Sequence, residues 1–193
     1  MMKTKSSQQR SMLIRFILLV LSAGLAEAQI QDRPRLRPEH KKMEMFVGTW
    51  NYDGAVNETA LGPGGKFSGR MTSQMVLDGL FLERKAEDRG LYAGKAVIFR
   101  NIQIMWYDPA QKAYTEQTFD NDGMVSKVNT TVDGNTWTDT GITTESKGKV
   151  YKTRTTNTFS ADGKTFKSRT ELSMDDGKTW ILRWEFTARK VKG

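Results

Sequence analysis

Between residues 48 and 190 the chain alternates apolar and polar side chains in runs of about ten, the period of a strand with one face covered and the other wet. The last run is the clearest, with Trp180, Leu182, Trp184, Phe186 and Ala188 on one parity and Arg183, Glu185, Thr187 and Arg189 on the other. Before it, Pro38 stands at a first helical position and is followed by Glu39, Met43, Phe46 and Val47 at three- and four-residue spacing. That spacing predicts one short amphipathic helix. Asp78-Gly79, Asp122-Gly123, Asp133-Gly134, Asp162-Gly163 and Asp176-Gly177 lie between the alternating runs, where Asp-Gly supplies the positive φ of tight hairpins. Gly62-Pro63-Gly64-Gly65 and Asp108-Pro109 break the chain elsewhere.

The strands so bounded are 48–57, 66–77, 79–88, 95–107, 113–119, 124–131, 135–143, 149–159, 164–173 and 178–190. Such a meander leaves two unpaired edges unless it closes. The expected fold class is all-β, an antiparallel up-and-down closed barrel of about 8–10 strands with a short N-terminal helix. The run 95–107 differs, since Val97, Ile98, Phe99, Ile102, Ile104, Met105 and Trp106 put apolar groups on both faces. A strand of that kind is expected to be covered from outside as well, and the helix and N-terminal segment are the candidates.

The first residues read as an export signal. Lys3, Lys5, Arg10 and Arg15 form a basic start, residues 16–25 an apolar run, and Ala26-Glu27-Ala28 a small-x-small cleavage site. The apolar run is half the length of a membrane span. The expected organisation is a cleavable signal peptide over 1–28, a flexible leader over 29–37 and one barrel domain over 38–193, secreted or periplasmic after cleavage near Ala28. Cleavage also removes four basic residues against one acidic residue from the formal charge of +8, leaving an ordinary mixed surface. No basic stripe with interleaved aromatics remains, so nucleic acid is not an expected partner.

The chain holds no Cys and one His. That excludes disulfides, thiol nucleophiles, thiolate metal sites and Ser-His-Asp machinery. His40, at the polar side of the helix start, reads as a capping or solvated residue, and neither a metal nor a cofactor is expected. Ser173-Met174-Asp175-Asp176-Gly177-Lys178-Thr179-Trp180 fits the S-x-D-x-G-x-T-W pattern found on hairpins of sialidase propellers, but a propeller needs one such turn per blade. Only Ser160-Ala161-Asp162-Gly163-Lys164-Thr165-Phe166 echoes it, at hairpin spacing. The expected role is hydroxyl and carboxylate satisfying turn amides.

Phe46-Val47-Gly48-Thr49-Trp50, a Gly-x-Trp at the start of the first strand after a short helix, resembles the calycin superfamily of lipocalins and fatty-acid-binding proteins. The resemblance implies that Trp50 plugs one end of the barrel, that Gly48 permits close chain approach there, and that a basic side chain of the last strand lies across the Trp. Arg189 is the candidate by position, with Arg183 second. Leu77-Asp78-Gly79, Trp106-Tyr107-Asp108-Pro109, Asp133-Gly134-Asn135-Thr136-Trp137 and the closing Arg189-Lys190-Val191 extend the likeness over 40–191 to a bacterial calycin-like family of unassigned function. The chain departs from the fatty-acid-binding proteins in having Gly62 to Gly65 where they carry a helical pair, so no helical lid is implied.

Function is less legible. Small closed barrels hold packed side chains or one ligand, and Met71, Met75, Trp106 and Trp137, with Trp184, could line an interior site. Arg100, Arg154 and Arg169 stand mid-strand, where an inward guanidinium would clamp a carboxylate, either from a ligand or from Glu83, Glu116 or Glu171. Trp50→Ala is expected to cost more stability than Trp137→Ala. The carboxylate pairs Asp120 with Asp122 and Asp175 with Asp176 fall at turns, where Asp serves the backbone, so binding is favoured over catalysis. The main reading is an exported barrel binding a small apolar or amphipathic molecule, not embedded in a membrane. The alternatives are a packed protein-interaction or inhibitor module using rim loops 58–65 and 144–148, and a small isomerase, cyclase or hydrolase.

Overall fold

The computed structural model describes residues 35–145 and 148–192; the expected signal peptide and most of the leader lie outside them. Ten strands follow one short helix: β1 (Gly48–Val56), β2 (Gly65–Val76), β3 (Phe81–Tyr92), β4 (Lys95–Asp108), β5 (Ala113–Asp120), β6 (Val125–Asp133), β7 (Thr136–Thr144), β8 (Val150–Phe159), β9 (Thr165–Ser173) and β10 (Ile181–Lys190). Every sequential pair is antiparallel, and β1 pairs with β10 from Trp50 opposite Lys190 to Val56 opposite Trp184. The sheet is therefore a closed ten-stranded barrel with no free edge strand. No described helix is long and apolar enough to cross a membrane.

The hairpins follow turn chemistry. Leu77, Asp78 and Gly79 all take positive φ between β2 and β3. At the β6–β7 turn, however, Asp133 still pairs with Thr136, and the two-residue loop is Gly134-Asn135 with only the glycine at positive φ. The Ser160 and Ser173 turns are structural, as their sequence suggests. Asp175 accepts the Thr179 N–H at 2.9 Å, the Thr179 hydroxyl at 2.7 Å and the Ser173 hydroxyl at 2.8 Å. These bonds hold its carboxyl down at about 2.

Helix α1 (Pro38–Met43) continues into a single 3-10 turn, Glu44–Phe46. Six residues cannot sustain a helix in isolation, and this one is held by what it plugs. Met43 and Phe46 are fully buried at one end of the barrel with Trp50, Trp137, Phe159, Phe166 and Leu82. Phe46 meets Trp137 and Phe159 edge-on at 5.0 and 4.9 Å. The Trp50 indole donates to the Phe46 carbonyl at 2.8 Å, and the Tyr114 hydroxyl donates to that of Glu39 at 3.1 Å. His40 caps rather than solvates: it is buried, and its Nδ1 accepts the Arg37 N–H at 2.9 Å.

The helix thus stoppers the barrel end instead of covering β4 from outside, as its two apolar faces had suggested. Ile98 and Ile102 on β4 and Phe119 on β5 stay exposed on the outer wall. Strand β10 carries a second departure. A bulge between Leu182 and Trp184 inserts Arg183, so Leu182 pairs with outward Glu171 while Trp184 pairs with inward Thr170. The single apolar face expected from Trp180 to Ala188 is broken there.

Candidate functional site

A ten-stranded barrel is wider than its side chains fill when only one end is plugged. Above the plug lies a cavity of about 480 Å³, continuous with the open end. Its wall has three sectors set by strand order. Strands β10, β1 and β2 present Trp184, Phe186, Tyr52, Phe67 and Met71. Strands β6 to β9 present hydroxyls, with Ser126 bonded to Thr143 and Thr155 to Thr170 at 2.7 Å each. Strands β3 to β5 carry Arg84, Asp88, Glu116 and Asp120, with Asn101 and Gln103 between them on β4.

Arg84 and Glu116 form an ion pair at the cavity floor, each only 6% exposed. The Arg84 guanidinium also stacks 4.9 Å from the centre of the Phe46 ring, joining the floor to the plug. Its Nε has no hydrogen-bond partner among the described residues. Burial lowers its pKa to about 10, against the charge of Asp139. Asp139 accepts the Thr130 hydroxyl at 2.6 Å and the Asn157 amide at 3.1 Å, and burial pushes it up to about 6. Nearer the mouth, Asp88 accepts the Tyr52 hydroxyl, and burial raises it to about 6. Gly69 lies between these two in the register, and a Cβ there would collide with both side chains. Burial, then the charges of Asp122 and Asp88, raise Asp120 to about 7.

At the mouth Arg183 donates through Nη1 to the carbonyls of Asn57, Gly62 and Pro63, fastening the 57–64 loop to the bulge in β10. Neither interior guanidinium is therefore without a partner. Among the described residues no group of three His, Asp or Glu could hold a metal ion.

The sequence-predicted residues divide accordingly. Met71 stands on the cavity wall. Met75 points inward but packs against the plug cluster. Trp137 is 1% exposed and belongs to the plug, with its indole donating to Met45 Sδ at 2.8 Å. Trp106 is on the outer wall beside Phe81, because Met105 takes the inward place on β4. Arg100, Arg154 and Arg169 all face outward, opposite in parity to Asn101, Thr155 and Thr170. Arg100 pairs with Glu87 at 2.9 Å, while Arg154 and Arg169 share Glu171 at 2.7 and 3.5 Å. Arg154 also lies 4.5 Å over the Trp180 ring.

Arg189 does not cross Trp50. It is outward and pairs with Asp53 at 2.6 Å, because Ala188 takes the inward place. Lys190 covers Trp50 instead, with Nζ 5.2 Å from the ring centroid. Gly48 makes room for it: the glycine has φ +127°, and a Cβ there would stand 2.7 Å from Lys190 Cε.

Arg84, Asp88, Asp139 and Asn157 were not anticipated from the sequence. Their signal is parity alone, since Leu82, Arg84, Ala86 and Asp88 share the inward face of β3.

A closed antiparallel barrel stoppered at one end and hollow at the other defines the class. The chain belongs to the family described as "Protein of unknown function (DUF1579)", whose profile matches residues 35–191. No curated protein matches it. Among solved structures it is similar to Rv2717c from M. tuberculosis, at 11% identity and TM-score 0.58 over 82% of this chain and 100% of that one. It is also similar to the S-type phycobiliprotein lyase CPES from Guillardia theta, at 10% identity and TM-score 0.52 over 83% of this chain and 99% of that one. At such identities the likeness concerns the fold alone.

Proposed function

We propose that this protein binds a small amphipathic molecule inside the barrel, as a calycin-type carrier. The observation that carries the reading is the 480 Å³ cavity with one aromatic sector, one hydroxyl sector and an open mouth. That volume lies in the usual range of small-molecule sites, and a wall divided between an aromatic sector and polar ones suits a molecule with both an apolar and a polar part. The phycobiliprotein lyase among its structural neighbours agrees with a barrel of this shape serving a small molecule. Export belongs to the same reading, and a native mature chain beginning at Gln29 would be its mark in an intact-mass measurement.

The neutral dye Nile red tests the carrier directly. It should bind with one-to-one stoichiometry at micromolar affinity and quench emission from Trp184, which lines the cavity. Thr155→Trp projects a large ring into the cavity from β8 and should abolish binding while circular dichroism stays that of a folded barrel. Dye binding that survives this filling would place the site elsewhere and leave the interaction module as the better reading.

A further inference from the structure

We infer that the cavity selects a cationic amphiphile, a protonated amine with its ammonium group near the mouth and its apolar body below. The inference rests on the carrier reading and names its ligand class. The charged groups of the wall stand in two tiers. Arg84 and Asp88 are four residues apart on β3, and Glu116 and Asp120 are four apart on β5, with only β4 between these strands. Four residues of strand rise about 13 Å, so both aspartates sit well above the floor on one side of the barrel.

In the lower tier both carboxylates have partners, Glu116 the Arg84 guanidinium, and Asp139 the Thr130 hydroxyl and the Asn157 amide, with the Arg84 charge acting on it as well. The upper tier holds no ion pair among the described residues. Asp88 accepts only the neutral Tyr52 hydroxyl, and the Asp120 carboxylate has no hydrogen-bond partner among the described residues. The Asp122 carboxylate, beside Asp120, accepts its own turn's Met124 N–H at 2.9 Å. Tyr92 and Phe99, packed edge-to-face at 5.8 Å, line the same side of the cavity. Among the described residues the cation lining this level of the cavity is Arg183, engaged with three carbonyls and with Glu145, Tyr92 and Tyr151 around it.

The floor supplies a second requirement. Arg84 is nine-tenths buried, lines the same cavity and keeps an Nε–H without an acceptor. A buried unpaired donor is costly, and an oxygen at the far end of an otherwise apolar ligand body would satisfy it. A carboxylate-headed lipid fits poorly, since its head would enter past Asp88, Asp120, Asp122 and Glu145. At the floor a carboxylate would reach the Arg84 Nε–H only beside the charges of Glu116 and Asp139.

The test uses three ten-carbon probes that differ only in the head: decylamine, decan-1-ol and decanoate, each displacing Nile red from the full-length protein below its micelle concentration. At pH 8 decylamine should bind at least tenfold more tightly than decanoate, with the alcohol between them. Asp88→Asn combined with Asp120→Asn should bring decylamine to within twofold of decan-1-ol. Acidification to pH 5.5 should shrink the amine's advantage, because Asp120 and Asp88 take up protons near 7 and 6 while the amine stays charged. The groups facing this pair are Tyr52, Tyr92 and Asp122, with Arg183 and Glu145 behind Tyr92, while Asp139 at the floor protonates near 6 as well and adds to the loss. Decanoate binding as tightly as the amine, or an amine preference that survives the double variant, would overturn the inference and leave the carrier standing. A protein that takes up no Nile red at all would overturn both.

Discussion

The Arg84–Glu116 pair places opposite charges in a position where neither can be solvated, and that fixes how each responds to loss of the other. Removing one partner of a buried pair costs about 3–5 kcal/mol, whereas replacing both by apolar groups is often neutral. Glu116→Leu should therefore lower stability by about that amount, and adding Arg84→Met should recover part of it, the remainder reflecting Asp139, which loses the Arg84 charge; urea denaturation of the two singles and the double reads the cycle. Purely additive losses would mean that the two charges do not depend on each other. The sequence did not reveal this pair, because an arginine's parity is readable only where its neighbours' is. Leu82 and Ala86 mark Arg84 as inward in retrospect. Arg100 lies in a run apolar on both faces, and Arg154 and Arg169 share strands with threonines that suit either face. Asp120 was read as a turn residue; it ends β5, but its side chain points into the mouth.

At the scale of elements the plug matters most. Trp50 and Trp137 are both essentially unexposed and both pack on aromatic rings of the closed end, Trp50 on Phe166 and Trp137 on Phe46 and Tyr114. The expectation that Trp50 outweighs Trp137 gives way to one of near equality. Each change to Ala should cost about 3–5 kcal/mol, and chemical denaturation in which Trp137→Ala is harmless would remove it from the plug. The strands themselves were legible, since Thr, Val and aromatic alternation is punctuated by Asp-Gly. The exception is the end of β3, extended by four residues past its expected stop at 88. Charged Glu87, Asp88 and Arg89 hide the strand pattern there. The turn that follows is Ala93-Gly94, with both residues at positive φ, and alanine announces no such turn. The β10 bulge was invisible for a similar reason: alternation on either side of it is intact, and only the register reveals the inserted Arg183.

For the whole molecule, ten strands closed around one plug leave half the barrel filled and half hollow, and the methionines report on each region separately. Met71 and Met124 line the cavity, Met43 and Met105 are buried toward the plug, and Met174 is exposed outside. Met is apolar and polarisable enough to sense a neighbouring ligand wherever it is placed. The central claim, that the hollow half is an accessible binding chamber, is tested most directly by titrating decylamine into protein carrying 13C-methyl methionine and following the methyl resonances. The account predicts shifts at Met71 and Met124 that saturate together, with Met43, Met105 and Met174 unmoved. Saturable shifts confined to Met174, or none at Met71 and Met124, would contradict it.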